Sequence, residues 1–80
     1  MTNEEGLEIV KKALNALEEG KGNDITLETD LMEEDIIDSL DSMSMLFEIE
    51  NEVGSIVGID EDYSDFKVSS LVDLIVKSSK

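Results

Sequence analysis

The chain has 80 residues, among them 21 acidic side chains, 6 lysines and no arginine, which gives a formal net charge of −15. This balance argues against nucleic-acid binding, which needs clustered basic residues, and favours basic proteins as partners. The sequence contains no cysteine or histidine, so disulfides, thiolate or imidazole metal sites and histidine-based catalysis are excluded. No apolar run reaches the roughly 20 residues of a membrane span and no leader is evident, so we expect one cytoplasmic domain over residues 1–80.

The acidic residues are concentrated in the middle of the chain. Residues 23–65 contain fifteen carboxylates and no lysine, so all the lysines lie before or after this segment. One interpretation is a solvated surface that keeps a small protein soluble. The other is a docking surface for cationic partners, because a field of one sign speeds their association. Composition leaves both interpretations open.

The hydrophobic pattern predicts an all-α fold, a small bundle of three main helices plus one short helix. The first helix is predicted over Glu4–Glu19, with Thr2 and Glu5 at the spacing of a capping box and Gly20 as the C′ residue that ends it. A long connection over residues 21–37 follows, and its apolar residues are expected to anchor it on the core. These anchors are Ile25, Leu27, Leu31, Ile36 and Ile37.

The second helix is predicted over Ser39–Val53, ending at Gly54. A short helix is predicted near Glu61–Asp65, and the only ambiguous strand signal covers Ser55–Ile59. The C-terminal helix is predicted over Ser69–Ser78. Its inward residues are Leu71, Leu74 and Ile75.

The second helix has two apolar sides. At about 100° per residue, one side of the helical wheel carries Leu40, Met43 and Phe47. The opposite side carries Met45, Leu46, Ile49 and Val53. Carboxylates flank the first side, namely Asp41, Glu48 and Glu52 along one edge and Glu50 along the other. An apolar stripe among carboxylates is typical of a docking face, yet a helix buried nearly all round would show the same wheel.

The beginning of the second helix is more specific. Asp38 is predicted to be the N-cap, with Asp41 three residues later, which leaves Ser39 in the first turn with its hydroxyl free. The N-terminus of a helix also favours an anion such as a phosphate on Ser39. Taken alone, Ser beside Asp at the start of a helix is usually only a cap.

The run Asp38-Ser39-Leu40, opening a helix that reads LDSMSMLFEIENEVG in an acidic chain of this length, resembles the acyl carrier proteins. The resemblance covers nearly the whole chain. It implies that Ser39 carries a 4′-phosphopantetheine arm, transferred from coenzyme A by a phosphopantetheinyl transferase. The arm's thiol would hold acyl groups as thioesters for fatty-acid, lipid or polyketide-type synthesis, and Asp38 and Leu40 match the signature around the attachment site.

The resemblance also implies a monomer whose second helix docks on basic patches of acyl-transferring synthases. The partner-binding residues would be Asp41, Met43, Phe47, Glu48 and Glu50, with Leu40 as a further apolar contact. Ser44 and Asn51 stand where the family usually has acidic residues. We therefore expect a specialised carrier rather than the housekeeping one. Leu46, Ile49, Leu71 and Ile75 would line a shelter for the acyl chain or, as we prefer, belong to the core.

The sequence allows three alternatives to be compared with a carrier. An enzyme is disfavoured, because Ser39 has no basic partner close in sequence and 80 residues leave little room for a cleft. A calcium loop beginning at Asp60 fails, since Asp65 replaces the required glycine and Leu71 the final glutamate. A small acidic interaction or inhibitor protein, binding a basic partner through the second helix, remains open. It differs from a carrier because it needs no reactive Ser39.

Overall fold

A computed structural model of the protein describes residues 2–54 and 65–78. Within these ranges the chain forms three helices and no strand: α1 (Asn3–Leu17), α2 (Ser39–Val53) and α3 (Val68–Ser78). The predicted all-α class is confirmed for this part of the chain. The short helix predicted near Glu61–Asp65 lies outside the described residues except for its last member, and the ambiguous segment Ser55–Ile59 lies outside them entirely.

Helix α1 begins at Asn3, one residue before its predicted first residue, and ends two residues earlier than predicted. Thr2 Oγ1 accepts a hydrogen bond from the Glu5 amide at 3.2 Å, and the Thr2 amide donates to Glu5 Oε1 at 3.0 Å, so the capping box is confirmed. The helix stops at Leu17, because Glu18 adopts extended backbone angles. Gly20, with φ of +84°, is therefore not the C′ residue; it occupies the left-handed position of the turn that follows the helix.

The connection over residues 21–37 is packed down rather than structureless. Three of its five predicted anchors are buried, Ile36 is half-buried against the core, and Leu27 stays exposed. The segment contains one helical turn that begins at Asp30, whose carboxylate accepts from the amides of Met32 and Glu33. This turn ends at Asp35, a residue with φ of +57°. The buried anchors are Ile25, Leu31 and Ile37.

Backbone hydrogen bonds join the connection to the beginning of α3. The Val68 amide donates to the Thr29 carbonyl at 2.8 Å, and the Ser69 amide donates to the Leu27 carbonyl at 3.0 Å. These bonds satisfy donors that have no partner inside the helix, so no side-chain cap is needed there. An isolated antiparallel bridge joins Asp30 to Lys67 at the same place. Helix α3 therefore starts at Val68, one residue before its predicted first residue.

Helix α1 packs against both α2 and α3, and the core lies where the three helices and the connection meet. In α3, Leu71 and Ile75 are buried as predicted, while Leu74 is only half-buried. An ion pair of 3.1 Å between Lys12 Nζ and Glu52 Oε1 links α1 to α2. The buried apolar core consists of Val10, Ala13, Leu14, Ile25, Leu31, Ile37, Met45, Ile49, Phe66, Val68, Leu71, Val72 and Ile75. None of the helices described here is both long enough and apolar enough to cross a bilayer.

Candidate functional site at the beginning of α2

The N-cap predicted for α2 is present. Asp38 has extended backbone angles, and its Oδ1 accepts a hydrogen bond from the Asp41 amide at 2.8 Å. The helix begins at Ser39 and ends at Gly54, whose amide donates to the Glu50 carbonyl at 2.7 Å. Because the cap is supplied by Asp38, Ser39 is the first helical residue and its side chain has no capping role.

The Ser39 side chain is exposed, and no residue in 2–54 or 65–78 hydrogen-bonds its hydroxyl. The Ser39 carbonyl instead accepts from Ser42 Oγ at 2.7 Å, which ties the Ser42 hydroxyl to the backbone and buries it. Ser44 is also exposed but lies in the next turn, away from the helix terminus. Among the three serines of α2, Ser39 therefore combines an accessible hydroxyl with a helix N-terminus.

The apolar side of α2 that carries Leu40, Met43 and Phe47 faces solvent, and we call these three residues the outer stripe. Their exposed fractions are 79%, 71% and 65%, respectively. On the opposite side of the helix, Met45 and Ile49 are completely buried. The question left open by the helical wheel is thus answered, because α2 is buried on one side only. Exposed apolar groups of this size next to each other are typical of contact surfaces.

The carboxylates around the outer stripe are not equivalent. Asp41 is half-buried, and its Oδ2 lies 3.5 Å from Lys21 Nζ. Among the residues described, Glu48 and Glu50 make no ion pair, and Glu50 is the more exposed of the two. The predicted partner-binding acids therefore divide into one that is already paired inside the protein and two that remain available to a cation.

Lys21 is the residue at this site that the sequence analysis did not single out. Its Nζ lies 3.3 Å from Glu18 Oε2 as well as 3.5 Å from Asp41 Oδ2. Partial burial lowers the pKa of Lys21, but the hydrogen bonds and charges of Glu18 and Asp41 outweigh this and raise it above its ordinary value. The signal in the sequence is a lysine between Gly20 and Gly22, which a tight loop can place against a neighbouring helix.

A phosphodiester on Ser39 would fit these surroundings. The N-terminal turn of α2 carries the positive end of the helix dipole, which favours an anion. The Asp38 carboxylate opposes an anion but is occupied by the Asp41 amide, and Lys21 offsets the charge of Asp41. Among the residues described here, no group of three or more Asp or Glu side chains could hold a metal ion.

The residues considered as a shelter for an acyl chain belong to the core or contact it. Ile49, Leu71 and Ile75 are buried in the core, and Leu46 packs against it. Comparison with known proteins adds no further assignment: no family model, no curated protein and no solved structure matches the chain. The resemblance to acyl carrier proteins therefore rests on the residues quoted for it.

Proposed function

We propose that the protein is an acyl carrier whose Ser39 is the attachment point for 4′-phosphopantetheine. The observation that carries this proposal is the exposed Ser39 hydroxyl in the first turn of α2, directly beside the exposed Leu40 that begins the outer stripe. A modifying enzyme needs both an accessible hydroxyl and a surface on the protein to which it can bind. The beginning of α2 offers the two together, within a small helical fold of the kind that the resemblance implies.

The protein's own residues prepare the hydroxyl and do not perform the chemistry. Asp38 fixes Ser39 as the first helical residue, so that the Ser39 oxygen can attack the pyrophosphate of coenzyme A. The new phosphodiester bond forms as the P–O–P bond breaks, adenosine 3′,5′-bisphosphate leaves, and the Ser39 proton goes to a base on the transferase. The dipole of α2 favours the resulting anion. When bound, phosphopantetheine supplies a thiol that holds acyl groups as thioesters. The chain itself is therefore a carrier and not an enzyme.

The partner surface in this proposal is the outer stripe with Glu48 and Glu50. Apolar side chains supply affinity in a docked complex, and exposed charges mainly speed the encounter. The transferase and the acyl-transferring synthases would meet this surface with basic side chains around an apolar pocket. Ser44 and Asn51, both exposed on the same side of α2, lower its acidity, so we propose a specialised cytoplasmic carrier that acts as a monomer.

A small acidic interaction or inhibitor protein is the second candidate. The same observation supports it, because an exposed apolar stripe among carboxylates would also bind a basic partner. The two candidates differ at Ser39 alone. A carrier requires its hydroxyl, whereas an inhibitor would bind its partner equally well without it.

The test is an intact-mass measurement after incubation with coenzyme A, magnesium and a phosphopantetheinyl transferase. The mass of the protein should rise by roughly 340 Da, the size of one phosphopantetheine on one hydroxyl. Ser39→Ala should take no label while keeping its helical circular dichroism. Ser44→Ala, which removes another exposed hydroxyl of α2, should be labelled like the unmodified protein. Absence of labelling with several transferases would favour the inhibitor.

A further inference from the structure

Lys21 is the most enclosed of the lysines for which the structure describes ion pairs. Its side chain is 19% exposed and contacts two carboxylates, those of Glu18 and Asp41. Lys12 and Lys77 are each largely exposed and each hold one carboxylate. Lys21 therefore joins the end of α1 to the first turn of α2, next to the site proposed for modification.

Close backbone contacts hold Lys21 in this position. Gly20, at φ of +84°, makes the tight turn before it, and Gly22 follows it against α1. A Cβ atom on Gly22 would lie 2.4 Å from the Lys11 carbonyl oxygen, and the Gly22 amide donates to Asn15 Oδ1 at 2.8 Å. The loop is thus pressed onto α1 directly after the lysine. The packed backbone next to Lys21 therefore restricts where its ammonium group can lie.

The ion pair between Lys21 and Asp41 changes the charge that a partner would contact at the beginning of α2. The Asp41 side chain is 37% exposed and already faces a cation, whereas Leu40 beside it is almost fully exposed. At this end of the outer stripe Asp41 is therefore paired inside the protein, and the exposed Asp38, which accepts the Asp41 amide, is the acid of the helix beginning that makes no described ion pair. Further along the helix, Glu48 and Glu50 make no ion pair within the described part of the chain. Two acids without a described ion pair therefore flank the stripe at that end.

We propose that Lys21 is a specificity-determining residue, which neutralises Asp41 beside Ser39 and so selects the partners that this face accepts. A partner whose cations lie opposite Glu48 and Glu50 keeps its full attraction, whereas one that places a cation opposite Asp41 gains less from that carboxylate. The inference rests on the proposed function, because it requires that partners act at Ser39.

The experiment measures KM and kcat of the transferase, with four forms of the protein as substrate: unmodified, Lys21→Gln, Asp41→Asn and the double variant. Lys21→Gln frees Asp41 and should lower KM by about two- to fivefold at low salt, the range found for exposed charge pairs, with the effect on KM rather than on kcat. Asp41→Asn should raise KM more in the Lys21→Gln background than in the unmodified one. Both differences should vanish in 1 M salt, where the Debye length is about 3 Å.

Two further variants serve as controls. Lys77→Gln removes the same charge from α3 and should change KM less than Lys21→Gln does. Lys21→Arg keeps the charge and should restore the KM of the unmodified protein. An equal effect of Asp41→Asn in both backgrounds would overturn the inference, because Asp41 would already be open to partners.

Two other outcomes can be distinguished from an equal effect of Asp41→Asn in both backgrounds. A lower kcat at constant KM for Lys21→Gln would show that Lys21 holds Ser39 in position and does not mask Asp41, which also overturns the inference. Failure of the unmodified protein to accept the arm would remove the proposed function, and this inference with it, before any variant is compared.

Discussion

The two sides of α2 carry similar side chains in opposite surroundings. Met45 and Ile49 are completely buried between α2 and the rest of the core, whereas Met43 and Phe47, on the same helix, are mostly exposed. Residue type alone therefore does not separate core from contact surface here. The position of each side chain relative to α1 and α3 does, and the apolar residues left on the open side are the ones available to a partner.

The largest expected difference between the two sides of α2 is in stability, and two methionines of the helix test it. Met45→Ala should lower the free energy of unfolding by about 2–5 kcal/mol, the usual cost of truncating a buried methionine. Met43→Ala should change it by no more than about 0.5 kcal/mol, because that side chain is exposed. Urea denaturation of the two variants measures both values. Equal losses would mean that α2 is buried on both sides and that the partner surface lies elsewhere.

The same Met43→Ala variant should have its effect on docking instead. If Met43 is an anchor, the complex with the transferase should weaken by about 1–2 kcal/mol, seen as a higher dissociation constant. Met32→Ala is the matched control, since Met32 is a partly exposed methionine of the connection and not of α2. Equal weakening by the two variants would argue against the outer stripe as the docking surface.

The charges beside the outer stripe should act on rate more than on affinity. Glu48→Lys combined with Glu50→Lys should slow transfer of the arm roughly fivefold at low salt, mainly through slower association, because exposed charges steer the encounter. The effect should shrink as salt is added. Glu8→Lys combined with Glu28→Lys changes the net charge equally at exposed sites outside α2 and its outer stripe. If that pair slows transfer as much, only the overall charge matters.

The smallest expected effect concerns Lys21, whose ammonium group contacts Asp41 in the first turn of α2. Lys21→Gln should lower the free energy of unfolding by about 0.2–1 kcal/mol, as for other ion pairs near the surface. The pKa of Lys21 is raised in the folded protein above its ordinary 10.5, so the stabilisation is complete below pH 10.5 and is lost as pH rises through the folded-state pKa. Unfolding measured at neutral and strongly alkaline pH tests this. A difference between the unmodified protein and Lys21→Gln that persists above the folded-state pKa would contradict it.

Much of α2 could be predicted from the sequence because its signals are local. Asp38 supplies the cap and Gly54 the end, and the observed bounds Ser39–Val53 agree with the prediction. The capping box of α1 is local in the same way. Helical periodicity also identified both apolar sides of α2, but it could not tell which side faces inward, because that depends on where α1 and α3 pack.

The features that the sequence did not predict depend on contacts between distant segments. Leu27 was expected to be an anchor, yet it is exposed while its carbonyl accepts a hydrogen bond from the beginning of α3. Lys21 lies twenty residues before Asp41, and the pair forms only because the turn after α1 is pressed onto that helix. The early end of α1 follows from the same turn, in which Gly20 takes the left-handed position.

The central claim is that Ser39, and no other hydroxyl, receives the arm. The most direct measurement is fragmentation mass spectrometry of the protein after reaction with coenzyme A and a phosphopantetheinyl transferase, which locates the added mass among Ser39, Ser42 and Ser44. We expect all of the label on Ser39, since the Ser42 hydroxyl is buried and bonded to the backbone and Ser44 lies away from the helix terminus. Label on Ser42 or Ser44, or no label on the unmodified protein, would contradict the account.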